Sequence, residues 1–366
     1  MKIGILKETE DSRVAISPDV VGLFVKEGHE ILAESGAGDD AYFDDDSYQN
    51  AGAQIFKSAV EVLSQAELIV TLSPLDAALW KTLKSGAIMI SCFQPYVDST
   101  ITDLLQKESF TVFSMDMIPR TTLAQSMDVL SSMASIAGYR AVLEAAEYLP
   151  RYFPMLSSAA GTVAPSKVLV LGAGVAGLQA IATAKRLGAI VEAFDTRAAS
   201  KEEVNSLGAK FVEVEGAKDD KGAGGYAVEQ TEEYKQKQRA LIAEKAAKAD
   251  VIISTAQVRG PKAPLLITKE VVEKMQAGSV IVDLAASTGG NCELTKNNQV
   301  IKHKGVTIIG NSNLASKVSS NASQMFGKNV FNFLKPMINE GAFAPDWDNV
   351  IVKESCIARP KDQTSS

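Results

Sequence analysis

The chain is poor in the residues that build metal-centred or covalent sites. Its three cysteines, Cys92, Cys292 and Cys356, are scattered through 366 residues. Their odd number and wide spacing fit reduced thiols and argue against a disulfide framework. The two histidines, His29 and His303, are equally remote from each other. No CxxC or HExxH pattern occurs, so no zinc or iron site is expected. Basic excess is missing too: Lys and Arg total 37 against 44 Asp and Glu, a net charge of −7. A phosphate-binding surface for nucleic acid needs the opposite sign. Acidic clusters such as Asp44-Asp45-Asp46 read as solvated surface. Long apolar runs are lacking as well. The longest weakly charged stretch, 168–184, approaches the ~20 residues of a membrane span. Gly172, Gly174 and Gly177 divide it into a strand and a helix, so no transmembrane segment is expected. The opening MKIGILKE enters a strand directly, without a signal-peptide core and cleavage site.

What the chain does have is alternation. A 46% hydrophobic content over this length suffices for two domains with full cores. In the first third, strand-like runs at 2–6, 30–33, 68–72, 87–93 and 110–115 alternate with helical patterns at 18–26, 58–66, 76–83 and 100–107. Ser17-Pro18 marks a helix start and Gly28 its end. A long helical stretch, 123–149, ends near Pro150 and has room to connect two domains. A second alternating block follows. Its strands are expected at 168–171, 191–195, 211–214, 251–255, 280–284 and 306–309. Its helices are expected at 175–187, 201–207, 229–248 and 269–275. Repeated strand–helix units imply parallel sheets covered on both faces. The helix predicted at 322–337 comes after the second block is complete. It is therefore expected to pack back on the first domain. The fold class is α/β, with two doubly wound parallel-sheet (Rossmann-like) domains joined by a long helix. The first, discontinuous domain would be 1–130 plus 320–366, and the second 131–319.

The most informative motif is Lys167-Val-Leu-Val-Leu-Gly172-Ala-Gly174-Val175-Ala-Gly177-Leu. A GxGxxG alone is weak, but here it follows an apolar strand and opens an apolar helix. Gly172 permits the turn, Gly174 lets a pyrophosphate approach the backbone, and Gly177 lets helix pack on strand. The helix N-terminus offers N–H groups and a positive dipole end to phosphates. The next strand runs to Asp195, followed by Thr196 and Arg197. An acid there can accept hydrogen bonds from an adenosine ribose and repels a 2′-phosphate, which favours NAD(H). Arg197 keeps the alternative of binding such a phosphate open.

Several further segments agree. They include Pro119-Arg120-Thr-Thr-Leu-Ala-Gln125-Ser-Met-Asp128-Val-Leu-Ser131-Ser132 and Ala137-Gly138-Tyr139-Arg140-Ala141. Others are Ala193-Phe-Asp195-Thr196-Arg197, Gly224-Gly225-Tyr226-Ala227 and Val282-Asp283-Leu-Ala-Ala-Ser-Thr-Gly289-Gly290-Asn291-Cys292. With the opening Lys7-Glu8 and Arg13-Val-Ala-Ile-Ser-Pro18, they resemble the NAD(H)-binding component of proton-translocating nicotinamide nucleotide transhydrogenases over nearly the whole chain. The resemblance implies that Arg120, Gln125, Asp128 and Ser131 hold the nicotinamide end of NAD(H), with Arg120 orienting the ring. It implies a mobile loop over 215–228 that closes on nucleotide, with Gly225 and Tyr226. It places Gly172, Gly174, Val175, Gly177, Asp195, Thr196, Arg197 and Gln257 around the cofactor. Gln257 and Arg259 depart from the family's usual Leu-Ile-Pro-Gly-Lys-Pro-like run. The resemblance further implies a homodimer at the cytoplasmic face of a bacterial inner membrane. Its partners would be a membrane-spanning proton channel and an NADP(H)-binding component.

The competing reading is a soluble alanine or amino-acid dehydrogenase of the same superfamily. Those enzymes resemble this chain in fold, fingerprint and an arginine like Arg13. Their first-domain lysine and histidine have no counterpart in Val70-Thr71-Leu72-Ser73-Pro74 or Ser91-Cys92-Phe93-Gln94-Pro95. Their later catalytic Asp falls on Ser287. Oxidising an amine needs a proton acceptor, whereas hydride exchange between two nicotinamide rings needs chiefly positioning and exclusion of water. A non-catalytic NAD-binding module is a third possibility, against which the intact Arg–Gln–Asp segment argues.

Overall fold

A computed structural model describes residues 1–197, 199–214, 231–257, 260 and 262–360. The chain divides into two compact units, Met1–Met133 with Ser316–Ser366, and Ala134–Ala315.

The first unit is built on a seven-stranded sheet. Its order is Cys356–Ala358, Thr111–Ser114, Ile88–Ser91, Leu68–Val70, Lys2–Ile5, Glu30–Glu34, Ala53–Phe56. All neighbours are parallel except the first pair, because the last strand returns antiparallel to Thr111–Ser114. The inner strands are apolar on both faces, as Leu68–Val70 and Ile88–Ser91 show by complete burial. That is the pattern expected of a parallel sheet covered on both sides. The helix Pro18–Lys26 covers one face with Val20, Val21 and Phe24. Ser17 takes the N-cap position, but its hydroxyl donates to Asp19 instead of receiving a backbone N–H. Gly28, at φ 84°, ends the helix as expected.

The acidic cluster at 44–46 is more than solvated surface. Asp44 accepts the Ser47 amide and caps the short helix Asp45–Asn50, and Asp45 accepts from Ser35 and Gly36. The returning helix Ser319–Leu334 buries Phe326, Val330 and Phe333 in the same core as Ile3, Ile5, Phe24 and Phe113. Each such side chain contributes roughly 1.5–3 kcal/mol of burial.

The second unit repeats the plan. Its order is Lys210–Phe211, Ile190–Phe194, Lys167–Leu171, Val251–Ser254, Val280–Asp283, Val306–Ile309, Val300–His303. Only the last pair is antiparallel. The expected six strands are therefore joined by a seventh at the edge. Both units thus have a doubly wound α/β sheet with one antiparallel edge strand.

The expected continuous helix over 123–149 is shorter. A 3-10 turn covers Thr122–Met127, and the α-helix runs Val129–Tyr148. The break is chemical. Asp128 leaves helical geometry at ψ 92°, and its carboxylate accepts both the amide and the hydroxyl of Ser131. It is an N-cap, which satisfies a donor the helix itself cannot.

Candidate functional site

In the second unit the strand Lys167–Leu171 feeds a tight turn into the helix Val175–Arg186. Gly172 has φ 98°, a conformation that L side chains resist. A Cβ on Gly177 would stand 1.9 Å from the Gly172 carbonyl oxygen, so helix and turn touch through bare backbone. A Cβ on Gly174 would meet nothing within 4 Å among the described residues, so the turn faces open space there. Gly174 is also the N-cap, and no side chain caps this helix among the described residues. Its first-turn N–H groups have no intrahelical partners by construction. An open approach to uncapped amides suits an oxyanion. Val175, the first helical residue, is exposed.

Beside this turn the strand Ile190–Phe194 ends at Asp195. The Asp195 side chain is 8% exposed and pairs with Arg197 at 2.9 Å. It also accepts the Ala173 amide at 2.7 Å, which ties it to the glycine turn. Thr196, between them, is half-buried. A third loop completes the edge. Thr255 donates its hydroxyl to the Gly172 carbonyl at 2.9 Å, and exposed Gln257 lies two residues on. Gly225 and Tyr226, with all of 215–230, fall outside the described residues, as do Val258 and Arg259.

Sequence reasoning gave no role to the residue that fixes this third loop. Asn291 is fully buried. Its amide nitrogen donates to the carbonyls of Ala256 and Pro264, both at 2.8 Å. Its oxygen accepts from the Ser254 hydroxyl and the Ala256 amide. The stretch from Ser254 to Pro264 is thereby tied to a residue 27 to 37 positions further on. Asp283 is buried nearby and accepts from Ala285, Cys292 and Thr295. Burial pushes its pKa up, against those three donors. The only local signal for Asn291 was a buried-type polar residue following two glycines.

In the first unit, Arg120, Gln125, Asp128 and Ser131 cluster around the start of the helix Val129–Tyr148. Arg120 and Gln125 are exposed, and Asp128 and Ser131 half-buried. The i, i+3 spacing of Gln125, Asp128 and Ser131 suggests one helix face, but Asp128 is the cap, with Gln125 on the 3-10 turn before it and Ser131 in the first turn after it. Asp128 spends one bond of each oxygen on Ser131 and keeps acceptor capacity on both. The returning helix grips this segment. Asn329 and Asn332 both donate to the Ser126 carbonyl, at 2.8 and 3.0 Å.

The same unit shows what its sheet lacks. The stretches 70–74 and 91–95 leave the carboxyl ends of two central strands without Lys or His. His29 lies before the strand Glu30–Glu34, at the opposite end of the sheet. In the second unit, His303 sits on the antiparallel edge strand, 2.9 Å from Glu273, and Ser287 is an exposed residue of the 3-10 turn Ala286–Thr288.

A glycine turn on uncapped helix amides, with an acid closing the next strand, defines a protein of the dinucleotide-fold class. The chain belongs to the alanine dehydrogenase/PNT family. The family's N-terminal domain matches residues 4–137 and its C-terminal domain residues 141–365. The chain is 44% identical to the first of the alpha-subunit polypeptides of the NAD(P) transhydrogenase of Rhodospirillum rubrum, over 98% of this chain and 96% of that protein. It superposes on the crystal structure of a transhydrogenase from Sinorhizobium meliloti with a TM-score of 0.90 and 40% identity, covering 98% and 99% of the two chains. An L-alanine dehydrogenase structure matches with a TM-score of 0.81 and 26% identity, over 97% and 94%. The family supports an oxidoreductase role. Among the described residues, no helix is long and apolar enough to cross a membrane.

Proposed function

We propose that the chain is the NAD(H)-binding subunit of a proton-translocating transhydrogenase. It would hold NAD(H) while hydride passes between that nucleotide and NADP(H) on a partner component. The observation that carries this reading is a glycine turn with open space over Gly174 among the described residues, placed beside an acid at Asp195, in a chain 44% identical to a transhydrogenase alpha-subunit polypeptide. Gly172, Gly174, Val175 and Gly177 would seat the pyrophosphate, and Asp195 and Thr196 the adenosine ribose, with Arg197 beside them. Gln257, Gly225 and Tyr226 would border the nucleotide. Arg120, Gln125, Asp128 and Ser131 would orient the nicotinamide end. NADH supplies the hydride when bound; the chain's own residues need only position it and exclude water. The absence of Lys and His from 70–74 and 91–95 supports this over amine oxidation, which requires a base.

The remaining proposals follow the relatives. The subunit would dimerise and dock on a membrane-spanning proton channel at the cytoplasmic face. The decisive experiment adds a purified NADP(H)-binding component and follows hydride transfer from NADH to an NADP+ analogue. Transfer that needs both components is expected. Sustained NADH oxidation with pyruvate and ammonia by this chain alone would restore the amino-acid dehydrogenase reading.

A further inference from the structure

The acid that should receive the adenosine ribose is already saturated. Asp195 Oδ1 accepts the Arg197 amide and Nε, each at 2.9 Å. Oδ2 accepts the Ala173 amide at 2.7 Å and Arg197 Nη2 at 2.9 Å. Four donors on two oxygens use every acceptor site a carboxylate has. Two of the four form a guanidinium fork, the strong planar arrangement for this pair. The pair is also shielded, with side-chain exposures of 26% for Arg197 and 8% for Asp195. The bond to Asp195 is the first cause holding the Arg197 guanidinium above its ordinary pKa.

A ribose diol brings two more donors to the same oxygens. It can bind only by displacing donors already there. The Ala173 and Arg197 amides are backbone groups, so the side-chain fork is the part that can leave. We propose that Arg197 is a specificity-determining residue, an internal counter-ion of Asp195 that the adenosine ribose must displace. The proposal rests on the nucleotide-binding reading above. Two consequences follow for nucleotide choice. NADH affinity is reduced by the bonds that Arg197 gives up. A 2′-phosphate is repelled less than a bare aspartate would repel it, because the carboxylate carries its own cation. Arg197 therefore narrows the preference for NADH over NADPH, and Asp195 alone would widen it.

The test measures dissociation constants for NADH and NADPH on the full chain by titration calorimetry. The variants are Arg197→Ala, Asp195→Asn and the double variant, with thermal melts confirming the fold. Arg197→Ala should raise the ratio of the NADPH to the NADH constant about tenfold. Asp195→Asn should lower it by about as much, and adding Arg197→Ala should remove the NADPH gain, a coupling the cycle isolates. A ratio that stays put or falls in Arg197→Ala overturns the proposal, as does equal weakening of both nucleotides. If Arg197→Ala does not fold, Arg197→Gln, which keeps length and loses the charge, carries the same expectation. Should the parent bind neither nucleotide, the functional reading falls and this inference with it. Should the parent bind NADH while the ratio ignores Arg197, the inference alone falls.

Discussion

In the first unit the strand Lys2–Ile5 lies between Glu30–Glu34 and Leu68–Val70; in the second, Lys167–Leu171 lies between Ile190–Phe194 and Val251–Ser254. Each is the place where strand order reverses, and open α/β sheets bind ligands outside the carboxyl ends of such strands. The loops that follow differ. After Leu171 the chain turns through bare glycine and, among the described residues, leaves open space and uncapped amides. After Ile5 the chain sends the Glu8 carboxylate across to the next strand's loop, where it accepts the amides of Leu72 at 2.6 Å and Ser73 at 3.4 Å. Among the described residues, the first loop leaves its helix amides uncapped for an outside anion, and the second is tied to its neighbour by the chain's own carboxylate. The neighbouring Arg13 is likewise engaged within the unit, by Asp11 and the Met133 sulfur. Topology supplies the place, and one loop's side chains decide whether it is kept open.

The comparison breaks most severely at Gly177. A valine there has nowhere to go against the Gly172 carbonyl. Gly177→Val should cost more than about 4 kcal/mol, the range of overpacked or strained sites, and NADH binding should vanish with the fold. A melting temperature within a few degrees of the parent would show that the turn can yield.

A smaller effect should come from Glu8, whose pKa is pushed up to about 7. Burial is the main cause, with Asp11 adding to it and the Leu72 and Ser73 amides and Arg13 opposing. A carboxyl raised in the folded state binds its proton more tightly there than in the unfolded chain. Its contribution to stability is thus full below about 4.5 and is lost as pH rises through about 7. The span corresponds to at most about 3 kcal/mol. Urea midpoints measured from pH 5 to 8 should decline more steeply for the parent than for Glu8→Gln. Superimposable profiles would mean that Glu8 does not titrate in this window. NADH affinity should be the same in both, since Glu8 bonds to the Leu72 and Ser73 amides of the first unit and lies outside the glycine turn proposed for the nucleotide.

The smallest change in stability is expected at Gly174. An added methyl meets no atom of the described residues, and alanine is only a poorer N-cap than glycine, a cost of about 1 kcal/mol or less. Gly174→Ala should therefore melt near the parent yet bind NADH at least tenfold more weakly. Unchanged affinity would place the pyrophosphate away from this turn.

Most strands of both sheets were legible because buried parallel strands are apolar throughout. Those that escaped are edge strands. Val300–His303 alternates exposed and half-buried residues, and Ala53–Phe56 buries only one residue fully. With Cys356–Ala358, the third that escaped, they lack the fully buried apolar run of an inner strand. The start of the connecting helix was misplaced because Ala, Leu and Met continue through 123–127, and helical spacing alone does not register a break. The Asp128–Ser131 cap was present in the sequence as a spacing of three, but only geometry shows which side chain turns back. The glycine fingerprint could be read residue by residue, because its roles are set by backbone geometry. Asn291 could not, since its partners Ser254, Ala256 and Pro264 lie 27 to 37 residues before it. Asp195 was legible as an acid at a strand end, whereas its saturation by Arg197 depends on side-chain rotamers.

The returning helix Ser319–Leu334 and the last strand Cys356–Ala358 also impose an order of assembly. The second unit is contiguous and has every strand of its sheet once Ile309 has been made. The first unit must wait. Until its closing segments arrive, the strand Thr111–Ser114 has an unpaired edge and the core around Phe113 lacks Phe326, Val330 and Phe333. Roughly 200 residues separate Ser114 from Ser319. At ordinary synthesis speeds, that delay is on the order of ten to forty seconds. For most of that interval the second unit is itself still being made; from Ile309 until the closing strand Cys356–Ala358 arrives, the newborn chain carries a complete second sheet behind an incomplete first one, whose open edge is the surface for a chaperone to cover.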